Sequence, residues 1–105
     1  MQTISVEALY KTIPSLTEKE VIIDVRTHEE YENIHMTPSL HIPLDQLDEQ
    51  LESLQTYNTI YFLCRSGHRS GQACKLLSPY INASLYNVEG GLLEWEHLKL
   101  PTKNQ

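Results

Sequence analysis

The chain has 105 residues, 40% hydrophobic and 21% charged, which suits one compact domain with one core and is too well mixed for a disordered segment. Fourteen Asp and Glu against eight Lys and Arg leave a formal net charge of -6. An acidic surface repels phosphate, so nucleic acid and anionic membranes are excluded as partners of the molecule as a whole. Any anion must be held by a local positive site.

The first residues, Met1-Gln2-Thr3-Ile4-Ser5-Val6-Glu7, lack the basic flank and apolar run of a secretory signal. The longest apolar runs, such as Ile60-Tyr61-Phe62-Leu63-Cys64, fall far short of the ~20 residues that span a bilayer. Two cysteines in such a chain point to a reducing compartment with free thiols, so a cytoplasmic location is expected. There is no repeat, linker or low-complexity stretch, and 1–105 reads as a single domain.

In chain order, Ser5 is placed to cap a short helix carrying Val6, Ala8, Leu9 and Lys11, with Pro14 beyond its end. Val21-Ile22-Ile23 is a β-branched run and predicts a buried strand ending at Asp24. Thr27 followed by Glu30 has the form of a capping box, which predicts a short helix over His28 to Glu32. His41-Ile42-Pro43 is at most a brief strand, and Asp45 is expected to cap a helix with Leu47, Leu51 and Leu54 at helical spacing. Thr59 to Leu63 is the strongest strand and runs directly into Cys64-Arg65-Ser66-Gly67-His68-Arg69-Ser70. A helix follows with Ala73, Cys74 and Leu77 on one face, closed by Pro79. Ala83 to Val88 predicts a last strand, and Gly90-Gly91 turns the chain into a final helix through Leu92, Trp95 and Leu98. This alternation predicts an α/β domain with a mainly parallel sheet covered on both faces. Ligands of such sheets bind beyond the carboxyl ends of the strands, where Cys64 falls.

A lone cysteine after a strand is most often a core residue. Here its neighbours are wrong for a core. Arg65 and Arg69 bring two positive charges, Gly67 permits a positive φ in mid-loop, and Ser66 and Ser70 offer hydroxyls to the loop or to an anion. Loop amides and the first turn of the next helix add further donors. All of these favour the thiolate, the reactive form of cysteine. Cys74, within a helix, reads as a small hydrophobe.

These residues resemble the rhodanese family. Cys64-Arg65-Ser66-Gly67-His68-Arg69-Ser70 is similar to that family's active-site loop, with Cys64 at the sulfur-carrying position. Asp24-Val25-Arg26 with Glu30-Tyr31, the segment His35 to Pro43, and Glu89-Gly90-Gly91 with Trp95 resemble its other elements, in the same order, from about Ile4 to Pro101. The resemblance implies a three-layer α/β/α fold with a five-stranded sheet in the order 3-2-4-5-1. It implies a sulfurtransferase that takes sulfur from thiosulfate or a persulfide onto Cys64. It then passes the sulfur to a thiol, of a small molecule or of a protein, or to cyanide, with no cofactor. The chain departs from the family at Ile34 and Pro38, where glycine is usual, and at Met36 and Thr37.

Other residues have plainer readings beside functional ones. Asp24 is placed either to orient Arg69 and the loop or simply to cap a turn. Arg26 and Glu30 are expected to form a local ion pair, His68 to be a solvated side chain, and Trp95 to be core. His28, His35, His41 and His97 show no paired spacing with the cysteines, so no metal site is expected. Two rival functions are a phosphatase, which the loop length disfavours, and a non-catalytic docking module, which retention of Cys64 and both arginines disfavours.

Overall fold

A computed structural model describes residues 1–104. Strands β1 (Gln2–Ser5), β2 (Glu20–Asp24), β3 (Leu40–His41), β4 (Thr59–Leu63) and β5 (Ser84–Glu89) form one sheet in the order β1-β5-β4-β2-β3. Every pairing is parallel, and the order is 3-2-4-5-1 read from the other edge. Helices α1 (Val6–Thr12) and α5 (Gly91–His97) cover one face. Helices α3 (Leu51–Leu54) and α4 (His68–Leu77) cover the other, while α2 (His28–Asn33) follows β2.

The period-two alternation of β4 divides the core. Ile60, Phe62 and Cys64 point to the α4 side, with Ile23, Ala73, Cys74 and Leu77. Tyr61 and Leu63 point to the opposite side, with Leu9, Ile22, Leu92 and Trp95. At roughly 25 cal/mol per Å² of apolar surface buried, each of these two layers is a substantial source of stability. No helix is long and apolar enough to cross a membrane among the described residues.

Caps form where short-range chemistry dictates them. The Ser5 hydroxyl accepts from the Ala8 amide at 3.0 Å, and Thr27 with Glu30 closes a reciprocal capping box. Asp45, by contrast, caps nothing. Leu44–Gln50 winds as a 3-10 segment that starts at Pro43 without a side-chain cap, and only Leu51–Leu54 is α-helical. The Ile42 amide bonds to Asp24 and the Leu44 amide to Val25, each at 3.0 Å, so this stretch begins as an extension of the sheet. Leu47 and Leu54 are buried all the same, because burial needs only their spacing and not α-geometry. Leu98 also departs from expectation: it follows the end of α5 and is 40% exposed, whereas Trp95 is buried and donates its indole N–H to the Pro101 carbonyl.

At the family departures, Met36 is fully buried and Ile34 is half-buried against the α5 side of the core. Thr37 and Pro38 are exposed.

Candidate active site

β4 delivers Cys64 to the carboxyl edge of the sheet, and its side chain is buried to 1% exposure. The chain then curls back under the sulfur. Gly67 ends the curl at φ +104°, a conformation that L side chains rarely adopt, and leads directly into α4. Its amide donates to Cys64 Sγ at 3.1 Å, and Ser70 Oγ lies 3.3 Å from the same sulfur.

The loop carbonyls are drawn the other way. The amides of Leu92 and Leu93 donate to the carbonyls of Cys64 and Arg65 at 2.9 and 3.0 Å. Such close approach requires Gly91, because a Cβ there would lie 2.5 Å from both carbonyl oxygens. The Gly90-Gly91 pair is therefore more than a turn; it seats α5 on the loop so that donors remain on the sulfur side.

Burial by itself would raise the Cys64 thiol. The hydroxyl of Ser70 and the amides of Ser70, Gly67 and Ser66 outweigh it and hold the thiol below its ordinary value. At Cys74 burial outweighs the one backbone amide that favours the thiolate and pushes the thiol up to about 11. Both cysteines are free.

The charged residues pair differently from the sequence expectation. Arg26 does not bridge to Glu30. It forms a buried pair with Asp24, its Nη2 2.9 Å from Oδ2, and donates onward to the Ile34 carbonyl at 2.7 Å. Asp24 also accepts the Arg26 amide at 3.0 Å, so it caps a turn, and the side-chain bonds of Arg69 go to Glu30 instead. Asp24 at the end of β2 and Arg26 two residues on thus satisfy each other, which leaves Glu30 to hold Arg69 through two bonds of 2.7 and 2.9 Å. Led by the bond from Arg69, these contacts bring the Glu30 carboxyl down to about 2 despite partial burial. The pair ties α2 to the start of α4 and fixes one loop cation beside the sulfur.

Arg65, Ser66 and His68 are exposed at the rim. Arg65 has no ion-pair partner among the described residues. It borders a cleft of about 480 Å³ with Arg26, Glu30, Ile34, Leu93 and Glu96. The structure therefore brings Cys64, Gly67, Ser70 and Arg69 together with Glu30, and keeps Asp24 and Arg26 as a supporting pair one strand away. Residue-pattern reasoning missed Asn87 on β5, whose amide donates to the Gly67 carbonyl at 3.1 Å and accepts from the Ser70 hydroxyl. An asparagine inside a strand is unfavourable by propensity, and that was the one local signal available.

A buried cysteine whose sulfur accepts a loop amide and whose thiol is held below its ordinary value is placed to act as a nucleophile. The family model of the Rhodanese-like domain matches residues 5–98. The Bacillus subtilis protein YtwF, which carries a provisional sulfurtransferase name, is 35% identical over 91% of this chain and 91% of its own length. YrkF of the same organism, provisionally named a sulfur carrier protein, is 35% identical over 88% of this chain. The chain spans 49% of YrkF and 61% of YqhL, another Bacillus subtilis relative. Among solved structures, a rhodanese-related protein from Thermoplasma volcanium superposes with a TM-score of 0.87 at 26% identity, covering 100% of both chains. A rhodanese-like domain protein from Staphylococcus aureus gives 0.82 at 28% identity, over 90% of this chain and 91% of that one. With the five-stranded sheet, the loop after β4 and the matched family model in agreement, this chain belongs to the rhodanese family.

Proposed function

We propose that the protein is a sulfurtransferase that carries a sulfane sulfur as a persulfide on Cys64. The observation that supports this most directly is the donation of the Gly67 amide to the buried Sγ, in a loop that holds the thiol below its ordinary value. In the first half-reaction the thiolate attacks the outer sulfur of thiosulfate or of a persulfide donor. An S–S bond forms to Sγ as the donor's S–S bond breaks, and with thiosulfate the electron pair leaves on sulfite. In the second, an acceptor thiolate or cyanide attacks the outer sulfur, and Cys64 leaves as the thiolate. Arg65, exposed at the rim of the loop, receives the anionic donor, and Arg69, held by Glu30, keeps positive potential beside the loop. The acceptor class is a thiol, of a small molecule or of a protein, and free Cys64 and Cys74 suit a reducing, cytoplasmic setting.

The test is to incubate the protein with thiosulfate and read its intact and peptide masses. One added sulfur on the Cys64 peptide, removed by cyanide or a thiol and absent from Cys64→Ala, is the expected result. The same preparation is offered an activated aryl phosphate. Four residues separate Cys64 from Arg69, and a ring that short crowds the three equatorial oxygens of a phosphoryl group. Phosphate release that equals or exceeds sulfur transfer and vanishes in Cys64→Ser would overturn the proposal.

A further inference from the structure

Beside the sulfur loop lies the cleft of about 480 Å³, within the size range of small-ligand sites, and several of its polar groups have no internal partner. Arg26, which lines it, is only 3% exposed. Nε and Nη2 of that guanidinium bond to Asp24 and to the Ile34 carbonyl, but Nη1 bonds to nothing among the described residues. No buried side-chain nitrogen or oxygen among them lacks a partner, so Nη1 is open to solvent, and the cleft is the opening that Arg26 borders. Four of the charges nearby cancel in pairs, Asp24 with Arg26 and Glu30 with Arg69. Arg65 and Glu96, both exposed, form no ion pair among the described residues, with each other or with any other group. The cleft thus offers a cation backed by a second guanidinium donor and, apart from them, an anion. Lys103 pairs with His35 at 2.8 and 2.6 Å, which brings Asn104 to its edge.

We propose that this cleft binds the amino-acid end of the sulfur acceptor, a small peptidic thiol whose α-carboxylate meets Arg65 and Arg26 Nη1 and whose α-ammonium meets Glu96. This rests on the sulfur-transfer reading and names the acceptor class within it. Guanidinium groups take a carboxylate through charge-assisted bonds, and an ammonium pairs with a carboxylate. Carried on one carbon, as in an α-amino acid, the two groups satisfy both charges of the cleft; a neutral thiol satisfies neither. The place of the sulfur sets the length of the ligand. Leu92 and Leu93 line the cleft and donate to the carbonyls of Cys64 and Arg65, so the cleft adjoins the loop backbone. The Cys64 side chain, however, lies on the α4 side of the sheet. A thiol anchored in the cleft must pass Arg65 to reach the persulfide, which calls for several bonds between its amino-acid end and its sulfur, as in a γ-glutamyl peptide. The acceptor thiolate then bonds to the outer sulfur as the Cys64 S–S bond breaks, and the electron pair leaves on Cys64. Donor and acceptor use Arg65 in turn, because sulfite departs before the acceptor arrives.

The experiment has a binding arm and a transfer arm. S-methylglutathione, which keeps the amino-acid end but has no thiol, is titrated into isotope-labelled protein and followed by the backbone amide resonances. Saturable shifts centred on Arg65, Leu93 and Asn104 are expected. Affinity should fall about threefold in Glu96→Gln and roughly tenfold in Glu96→Lys, which sets like charges together. In thiosulfate-driven transfer the KM for glutathione should lie roughly tenfold below that for β-mercaptoethanol, and the ratio should fall towards one in Glu96→Lys. Glu96 is exposed, so both variants should fold, and thermal melts check that they do. Shifts that are absent or that avoid the cleft would overturn the proposal and leave sulfur transfer standing. So would a glutathione preference that is missing in wild type or unchanged in folded Glu96→Lys. Cleft binding by a protein that loads no sulfur from thiosulfate or a persulfide would overturn the sulfur-transfer reading, and the acceptor role with it, and leave only an amino-acid site.

Discussion

Replacing Glu30 by glutamine removes the charge that holds Arg69 while keeping side-chain length and one acceptor oxygen. In the folded protein the carboxyl is lowered from 4.5 to about 2, chiefly by its hydrogen bonds from Arg69. Taken at face value, that lowering corresponds to at most roughly 3 kcal/mol of linkage. Glu30 and Arg69 are 31% and 28% exposed, so solvent screens part of it. About 1–2 kcal/mol is expected for Glu30→Gln at neutral pH. For a domain of this size that is roughly 5–10 °C in Tm. The sign with pH follows from folding's preference for the ionised form. The contribution is complete above the unfolded value near 4.5 and is lost as pH falls towards the folded value near 2. Urea melts of wild type and Glu30→Gln at pH 7, 5, 4, 3 and about 2 should therefore show a gap that is constant down to about pH 5 and closes below it. A gap of the same size throughout would refute the reasoning, since the loss would then come from packing and not from the ion pair.

Cys74→Ala should leave most sulfur transfer intact, because its thiol is buried and lies near 11 in pKa; loss of transfer in a folded variant would reassign the sulfur. Arg65→Ala should raise the KM for thiosulfate roughly tenfold and change that for an uncharged thiol less, as removal of one charge-assisted bond to the anionic donor predicts. Equal effects on both substrates would make Arg65 a loop-holding residue. Gly91→Ala drives a Cβ to 2.5 Å from two backbone oxygens and strains a φ of +56°, so it should lower stability by about 1–3 kcal/mol and slow alkylation of Cys64. Unchanged melting and alkylation would show that α5 does not seat the loop.

Chemistry between near neighbours was legible in the sequence. Ser5 and the Thr27–Glu30 pair cap their helices, and the β-branched and aromatic runs at Val21 and Thr59 form the central strands. Gly67 adopts the positive φ that its place in the loop required. Each depends on residues a few positions apart, or on the periodicity of one element, and these are set before the chain is folded. The arrival of Cys64 at a strand's carboxyl end followed from the same local pattern. Its order in the sheet came through family resemblance.

What escaped depends on residues far apart in sequence. The short edge strand Gln2–Ser5 has a single half-buried apolar residue and exists because β5 offers it a partner. Nothing around Asp45 reveals that the sheet ladder continues through Ile42 and Leu44 and turns the following segment into a 3-10 helix. The ion pairs show the limit most clearly. Arg26, Asp24 and Glu30 lie within seven residues of one another, and spacing alone favoured Arg26 with Glu30. The fold buries Arg26 against Asp24 and brings Arg69 across 39 positions to Glu30. Asn87 meets the sulfur loop across 17 and 20 positions. By itself, then, the sequence determined which residues are chemically able to hold a charged sulfur. Only the tertiary structure decided which of them face it, because charges and hydrogen-bond donors select partners by distance in space.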